Sequence, residues 1–526
     1  MRVYVKVRNL ALVIVVLVGI IFVFLFLKQK SQADAEHFKN CPKIKSNRKW
    51  VINHKIAQYS SYFIQFPSYF RIESLLILSD YKLEKNQVAE SIKCIIRFGN
   101  NFDEIYVAKI KQAIHTITQS DEAAHHHTKI ICDIVDIQSN RLKNVNVAIV
   151  DTDYFETFDN VIFQTPTFID ATQDKLQEVA HCVHMVRNIH HSNFETWLTL
   201  QKHLGINRQK FYTIDNSLVS FYFDSSIEII KYELNFESFC GTCSDVDHTE
   251  CNKIFSKNFK TDSPQFIWHH ERLHTNDCYL SLKYIYEFVT NYDLDELIFP
   301  RHHNSSNNFD KCEQNFDCSS AKNETLYNYS VRLFDAQDKY KVASITFEYV
   351  YFLRFNDKLE DFFNSINNVL VNDTEHVETE SNFITLTIDS NSDESQRKHL
   401  KFVYKPKHYD HMRRILKAYK SLKCLFKTET YDRFNRFMYI RVDMKMGKSI
   451  FNTKYTETIS QHHAISASLS NIKSLPLEIE QGFVGHFRDE PFTYFQTTVF
   501  EITSIDFDLD YYLFYLSKFH TSLCKV

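Results

Sequence analysis

Apolar and polar positions change their spacing several times along this chain, and each change predicts a different element. Leu10 to Leu27, LALVIVVLVGIIFVFLFL, has no polar side chain. As a helix it would extend about 27 Å, near the thickness of bilayer hydrocarbon, so it predicts a transmembrane segment. Residues 28–55 are polar and basic and read as a stem. From Tyr59 to Val150, short apolar runs such as RIESLLIL, SIKCIIRF, TKIICDIV and NVNVAIV are separated by polar turns. Their length and β-branched content predict strands. Near Asp174 the character changes. ATQDKLQEVAHCVHMV leads into FETWLTLQKHLGI, where Trp197, Leu200 and Leu204 recur at helical spacing and Gly205 supplies a stop. FYTIDN follows as a short strand. Beyond it the pattern reads as alternating strands and helices, which predicts an α/β domain. Polar insertions interrupt it at 301–330 and 372–399, and no internal repeat is present.

These shifts divide the chain into a tail (1–9), an apolar anchor (10–27), a stem (28–55), a small β-rich domain (56–173) and an α/β domain (174–526). Arg2, Lys6 and Arg8 precede the apolar run; Lys28 and Lys30 follow it, then Asp34 and Glu36. That bias places the tail in the cytosol. Ala33-Asp34-Ala35 resembles a signal-peptide cleavage site, but the apolar run exceeds a usual signal core and two lysines intervene. The expectation is an uncleaved anchor. All 12 cysteines lie beyond it, and Asn304, Asn323, Asn328 and Asn372 each begin an Asn-x-Ser/Thr glycosylation sequon. A single-pass type II membrane protein of the secretory pathway, lumenal and disulfide-bonded, is expected.

Composition narrows the chemistry. Hydrophobic residues make up 44% and aromatic residues 15%, with Phe 46 and Tyr 29 against Gly 7. The net charge of -4 argues against a nucleic-acid partner, which usually shows as a basic face. Neither G-x-G-x-x-G nor G-x-x-x-x-G-K-[ST] occurs, so any nucleotide must be held without a glycine-rich phosphate loop.

Asn291-Tyr-Asp-Leu-Asp-Glu-Leu-Ile-Phe-Pro300 sets three carboxylates before a hydrophobic run. Pairs of aspartates two apart also occur at Asp151/Asp153, Asp245/Asp247 and through Asp506, Asp508 and Asp510, so context must choose. Asn276 reads as a helix cap with Asp277 in the first turn, followed by Cys278, Leu282, Ile285 and Val289 at helical intervals. Tyr284 to Tyr292 is β-prone, and Asp293 sits where such a strand would end. Ligands collect beyond the carboxyl ends of strands, and paired carboxylates there suit Mn²⁺ or Mg²⁺ carrying phosphate oxygens. The plain structural alternative is a strand-to-loop junction whose aspartates cap backbone amides. Asp151/Asp153 follows a strand and is the nearest competitor.

FIWHHERLHTNDCYLSLKYIYEFVTNYDLDELIFPR resembles the central motif of glycosyltransferase family 92, through Asn276-Asp277-Cys278-Tyr279 and Asp293-Leu294-Asp295-Glu296-Leu297-Ile298-Phe299-Pro300. YSSYFIQFPSYFRIESLLIL, HCVHMVRNIHHSNFETWLTLQKHLGINRQKFYTIDN, GKSIFNTKYTETISQHHAI and GHFRDEP are similar to further segments of that family, in its order. Phe487 departs from its usual tyrosine. The resemblance implies a GT-A-like catalytic domain over 174–526, inverting and metal-dependent, in a Golgi or other secretory-pathway membrane. It would transfer a hexose, galactose most often, from a UDP-sugar to a glycan of a glycoprotein or glycolipid. Asp293 and Asp295 would hold Mn²⁺, with His462 as third ligand and His463 or His486 as alternatives. Asn276, Asp277 and Arg488 would contact the donor. The general base would be Glu296, Asp489 or Glu490. The competing expectation is an inactive glycan-binding or scaffold protein of the same fold. Cys240, Cys243, His248 and Cys251 have the ligand count of a zinc site, but disulfides are the expectation there; His125-His126-His127 reads as a solvated loop.

Overall fold

A computed structural model of the chain describes residues 45–46, 51–53, 56–79, 88–99, 104–115, 125–134, 144–152, 158, 161–186, 191–213, 218, 225–231, 264–300, 325–337, 341–353, 382–388, 398–404, 438–441, 447–460, 462–467, 473–477, 481–488 and 499–501. The apolar runs of the amino-terminal part form one sheet. Its strands are β2 (Val51–Asn53), β3 (Ile56–Gln65), β4 (Phe70–Ser79), β5 (Ile92–Phe98), β6 (Glu104–His115), β7 (His125–Ile134) and β8 (Asn146–Asp151), in the order β2-β3-β4-β7-β6-β5-β8. A one-turn helix, α1 (Val88–Ser91), precedes β5, and β9 (Thr167–Asp170) pairs parallel to β3. The sheet curls until its ends meet: the Ile149 amide on β8 donates to Gln58 Oε1 on β3 at 3.1 Å. Ile56, Phe63, Ile72, Leu76, Ile96, Ile130 and Ile149 fill the inside of the curl. A Cys94–Cys132 disulfide crosses it.

The second large sheet comprises β1 (Lys45–Ser46), β10 (Leu176–Val186), β11 (Ile206–Thr213), β12 (Ile227–Lys231), β13 (Tyr286–Asn291), β15 (Val342–Thr346), β20 (Ser449–Asn452) and β23 (Lys473–Pro476). Their order is β1-β12-β11-β10-β13-β20-β15-β23. The run from β1 to β13 is parallel, and β20 is antiparallel to both its neighbours. Helix α2 (His191–His203) connects β10 to β11. It ends at Gly205, whose φ of +79 is a left-handed conformation that glycine adopts without strain. Helix α3 (Pro264–Lys283) leads into β13. A smaller sheet, β14 (Glu296–Pro300), β16 (Glu348–Leu353), β19 (Met438–Arg441) and β24 (Gly482–Arg488), runs in the order β14-β24-β16-β19. Strands β17 (Asn382–Ile388), β18 (Lys398–Tyr404) and β25 (Val499–Glu501) pair together, as do β21 (Thr456–Ile459) and β22 (Ala464–Ala467). Helix α4 (Leu326–Asp335) is capped by Thr325, which accepts from the Asn328 amide.

One core joins the two large sheets. The outward residues Tyr59, Tyr62, Ile64 and Leu75 of β3 and β4 pack with Leu273, Cys278, Tyr279 and Leu282 of α3 and with Ala180, Tyr212, Val289 and Phe451. Strand β3 is therefore buried on both faces. Polar side chains cross the same boundary. Lys129 of β7, fully buried, bridges Glu73 Oε2 of β4 at 2.9 Å and Glu457 Oε2 at 3.0 Å; Lys283 of α3 reaches the same Glu457 oxygen at 2.6 Å. The Tyr284 hydroxyl closes the network onto Glu73 Oε1 at 2.5 Å.

Several expectations are corrected here. The described residues are mostly strand, in curled sheets, and every described element after α4 is a strand, which does not fit an α/β GT-A-like domain with a transmembrane helix. The physical reason is that the aromatic and β-branched runs of the carboxyl-terminal part favour a pleated surface over helical packing. Among the described residues no helix is long and apolar enough to cross a membrane. The longest, α3, carries Glu271, Arg272, Asp277 and Lys283. The expected single-pass type II topology in a Golgi or other secretory-pathway membrane is corrected on that finding; Leu10 to Leu27 lies outside the described residues. Asn276 is not a helix cap, because α3 begins twelve residues earlier, at Pro264. His125-His126-His127 opens β7 rather than a solvated loop, with His127 2% exposed and in register with Ile77.

Candidate metal centre

The strand register gathers the site. Asn291, the last residue of β13, is level with Cys182 of β10 and Ser449 of β20. That brings His184, Asp293 and Lys448 to one end of the sheet. The chain then turns tightly over Leu294 and Asp295 into β14. The Glu296 amide donates to the Asp293 carbonyl at 3.0 Å, and the Asp293 amide donates to Glu296 Oε2 at 2.7 Å. Trp197 of α2 braces the turn from below through its Nε1, which donates to the Glu296 carbonyl at 3.1 Å. A Cys182–Cys278 disulfide ties β10 to α3 beside it.

Asp293, Asp295 and Glu296 each offer a carboxylate oxygen, and these lie within 4.8 Å of one another. Like charges this close need compensation. Lys448, 2% exposed, provides it: its ammonium is 3.1 Å from Asp293 Oδ2 and 3.4 Å from Glu296 Oε2. Burial works against that charge, but Asp293, Glu296 and Glu271 outweigh it and hold the ammonium protonated. A second cation stands on the other side. His184 Nε2 forms a close ion pair with Glu271 of α3 and lies 3.6 Å from Asp293 Oδ1; its Nδ1 donates to Asn291 Oδ1 at 3.0 Å. Burial disfavours the imidazolium, yet the Glu271 and Asp293 carboxylates raise its pKa above the ordinary histidine value. The Asn291 amide oxygen faces His184, and Asn291 Nδ2, fully buried, has no hydrogen-bond partner among the described residues. His181, three residues earlier on β10, is driven to a pKa of about 3 by burial, and its Nδ1 bonds Thr290 Oγ1 at 2.7 Å.

His462 approaches from the β21–β22 hairpin. Its Nδ1 donates to the Gly447 carbonyl at 2.9 Å, which leaves the lone pair on Nε2. Burial and the Lys448 charge lower its pKa, so the ring is neutral at neutral pH. A ring nitrogen fixed to a carbonyl in this way is the usual support of a metal-binding imidazole. Gly447 has no substitute here, since a Cβ would fall 1.2 Å from the Phe347 carbonyl oxygen. Hard carboxylate oxygens with a neutral imidazole nearby fit Mn²⁺ or Mg²⁺.

The expected site residues separate into three sets. Asp293 and Asp295 stand together, half-buried, with Glu296 beneath them. Glu296 is 1% exposed and both its oxygens are engaged: Oε1 accepts from the Tyr349 hydroxyl at 2.9 Å, and Oε2 from the Asp293 amide. It braces the turn and is poorly disposed to act as a base. His462 lies outside the group of mutually close ligand atoms, as does the exposed His463. Asn276 and Asp277 belong to the core instead of a donor site, because both are committed elsewhere. Asn276 Nδ2 donates to the Ile459 carbonyl at 2.8 Å and its Oδ1 accepts from the Ile459 amide at 2.9 Å. The Asp277 carboxylate accepts the Tyr62 hydroxyl at 2.6 Å and, more closely, that of Tyr212. His486 and Arg488 are backbone members of β24, with His486 in register with Glu296. Asn328 is exposed on the first turn of α4. Asp489, Glu490, Asn304, Asn323, Asn372 and the Cys240–Cys251 cluster lie outside the described residues, as do Asp153, Asp245, Asp247 and Asp506 to Asp510.

Sequence reasoning missed His184, Glu271 and Lys448. The available signal was in LQEVAHCVHMV, where two histidines interrupt an otherwise apolar buried strand. No protein-family model matches the chain, and no curated protein sequence matches it.

Proposed function

We propose that the chain is a metal-dependent hexosyltransferase that moves a hexose, galactose by the family 92 resemblance, from a UDP-sugar to a glycan acceptor. The observation that supports it best is the carboxylate group of Asp293, Asp295 and Glu296 beyond the ends of parallel strands β10 and β13. Asp293 and Asp295 would hold Mn²⁺ or Mg²⁺, which would supply charge neutralisation for a departing diphosphate. His462 is the imidazole nearest in chemistry to a third ligand. Inversion requires a base for the acceptor hydroxyl, and Asp489 and Glu490 remain the carboxylates for that role. Arg488 remains the donor-contacting residue of the expected set.

The test uses the full chain with UDP-galactose, Mn²⁺ and a glycan array as acceptor. UDP release should depend on Mn²⁺ and fall about a hundredfold or more in Asp295→Asn. Equal release by that variant would rule the reading out. A second reading, glycan binding without catalysis, is favoured by one observation: Lys448 and His184 already compensate part of the acidic charge. Glycan binding by wild type and Asp295→Asn alike, with no UDP release by either, distinguishes it.

A further inference from the structure

We propose that Lys448 is a resident counter-ion that a divalent cation must displace from Asp293, and that the displaced ammonium then holds the phosphate which the cation carries. This rests on the metal-and-diphosphate reading of the site. Lys448 is 2% exposed, so its ammonium is not a solvated surface charge that can move away without penalty. It shares Asp293 Oδ2, an oxygen that a hard cation would also take, at 3.1 Å. Its second carboxylate, Glu296, is fixed by the Tyr349 hydroxyl at Oε1 and by the Asp293 amide at Oε2, the oxygen that Lys448 also faces at 3.4 Å, which keeps the ammonium within the cluster once Asp293 is lost. Lys448 is also fixed at its backbone. It directly follows Gly447, whose close approach to the Phe347 carbonyl admits no side chain, and directly precedes β20.

An ammonium left beside a newly bound divalent ion is a repulsive pair in a partly buried place. An anion between the two removes that repulsion. A diphosphate has the charge and the oxygens to do so, and lysine is a point-charge partner for phosphate. A second donor is already present at this end of the sheet. Asn291 turns its amide oxygen to His184, and its buried Nδ2 has no hydrogen-bond partner among the described residues. What remains unsatisfied there is a hydrogen-bond donor, the complement of a phosphate oxygen. Cation and phosphate binding are then coupled through Lys448, each strengthening the other, as reciprocity between linked sites requires.

The experiment follows Mn²⁺ binding to the full chain through the electron paramagnetic resonance of free Mn²⁺, with and without saturating UDP. It compares wild type with Lys448→Met, Lys448→Arg and Asp293→Asn. Without UDP, Lys448→Met should bind Mn²⁺ about tenfold more tightly, a figure discounted for the partial exposure of Asp293. The enhancement by UDP should shrink by about the same factor. Lys448→Arg, whose fork grips a carboxylate with two bonds, should bind Mn²⁺ more weakly than wild type. It keeps the buried charge, so the test stands even where Lys448→Met unfolds, which a urea melt detects. If Asp293→Asn loses Mn²⁺ while both Lys448 variants bind it like wild type, or Lys448→Met binds it more weakly, the counter-ion role is wrong and the metal site stands. An unchanged UDP enhancement in Lys448→Met overturns the phosphate half. Unchanged Mn²⁺ binding in Asp293→Asn overturns the metal reading and this inference with it.

Discussion

Glu457→Gln probes the buried charge network that locks the two large sheets together. Glu457 Oε2 receives Lys129 at 3.0 Å and Lys283 at 2.6 Å, and the two lysines are 0% and 5% exposed. Glutamine preserves the shape but removes the charge, leaving Glu73 to face two buried ammonium groups. Breaking a buried pair by neutralising one partner costs about 3–5 kcal/mol. Glu457 is 15% exposed, so the lower end, about 3 kcal/mol, is the expected loss. The signature lies in its pH dependence. Burial and the nearby Lys129 charge already hold the Lys283 pKa below the ordinary lysine value of 10.5, and Glu457 opposes that depression. Without Glu457 it falls further. The unfolded chain then binds more protons than the native one, and stability rises with pH. Urea unfolding should therefore show the deficit of Glu457→Gln shrinking as pH climbs toward 10.5. Lys283→Met in the same background should recover part of the loss, with a coupling of about 1–3 kcal/mol. A deficit below about 1 kcal/mol, or one that is flat with pH and strictly additive with Lys283→Met, would refute the reasoning.

Gly447→Ala should destabilise the fold and uncouple His462, because the new Cβ meets the Phe347 carbonyl; the imidazole pKa, followed by NMR, should move back toward 6.5. Tyr212→Phe deprives the buried Asp277 carboxylate of a donor and should cost about 1–3 kcal/mol in urea unfolding. Reducing Cys182–Cys278, which links positions 96 residues apart, should cost about 2–4 kcal/mol and leave the protein more sensitive to urea. Acid should also weaken the fold. Lysine neighbours outweigh burial to depress Glu73 and Glu457, so their contribution is present above pH 4.5 and is lost as pH falls below it, which a pH series of urea midpoints measures.

The turn at Asp293 was legible because everything that defines it is local: an aromatic strand, two aspartates around Leu294, and a following apolar run. The helix before it was not. Its polar residues Glu271, His274, Thr275, Asn276 and Asp277 are buried among tertiary partners, so apolar periodicity caught only the last turns and Asn276 resembled a cap. The strands of the amino-terminal sheet were readable from short β-branched runs. The strands described after α4 were not legible, because their short apolar runs carry no signal that separates them from the strands of an alternating α/β pattern. His184 and Lys448 come to Asp293 through sheet register, across about a hundred residues or more of sequence, and no spacing rule reports such a contact.

Strand β3, with apolar residues on both faces, has a consequence for how the chain is made. Ribosomes deliver β3 and β4 long before α3, whose residues 264–283 cover their outer face. At roughly 5–20 residues per second, that face waits about 10–40 s for its cover. Throughout that interval Tyr59, Tyr62, Ile64 and Leu75 form an adhesive surface on a nascent chain. The protein is thus a natural client for chaperones that bind during synthesis, and its yield in a foreign host should depend on translation speed between residues 80 and 283.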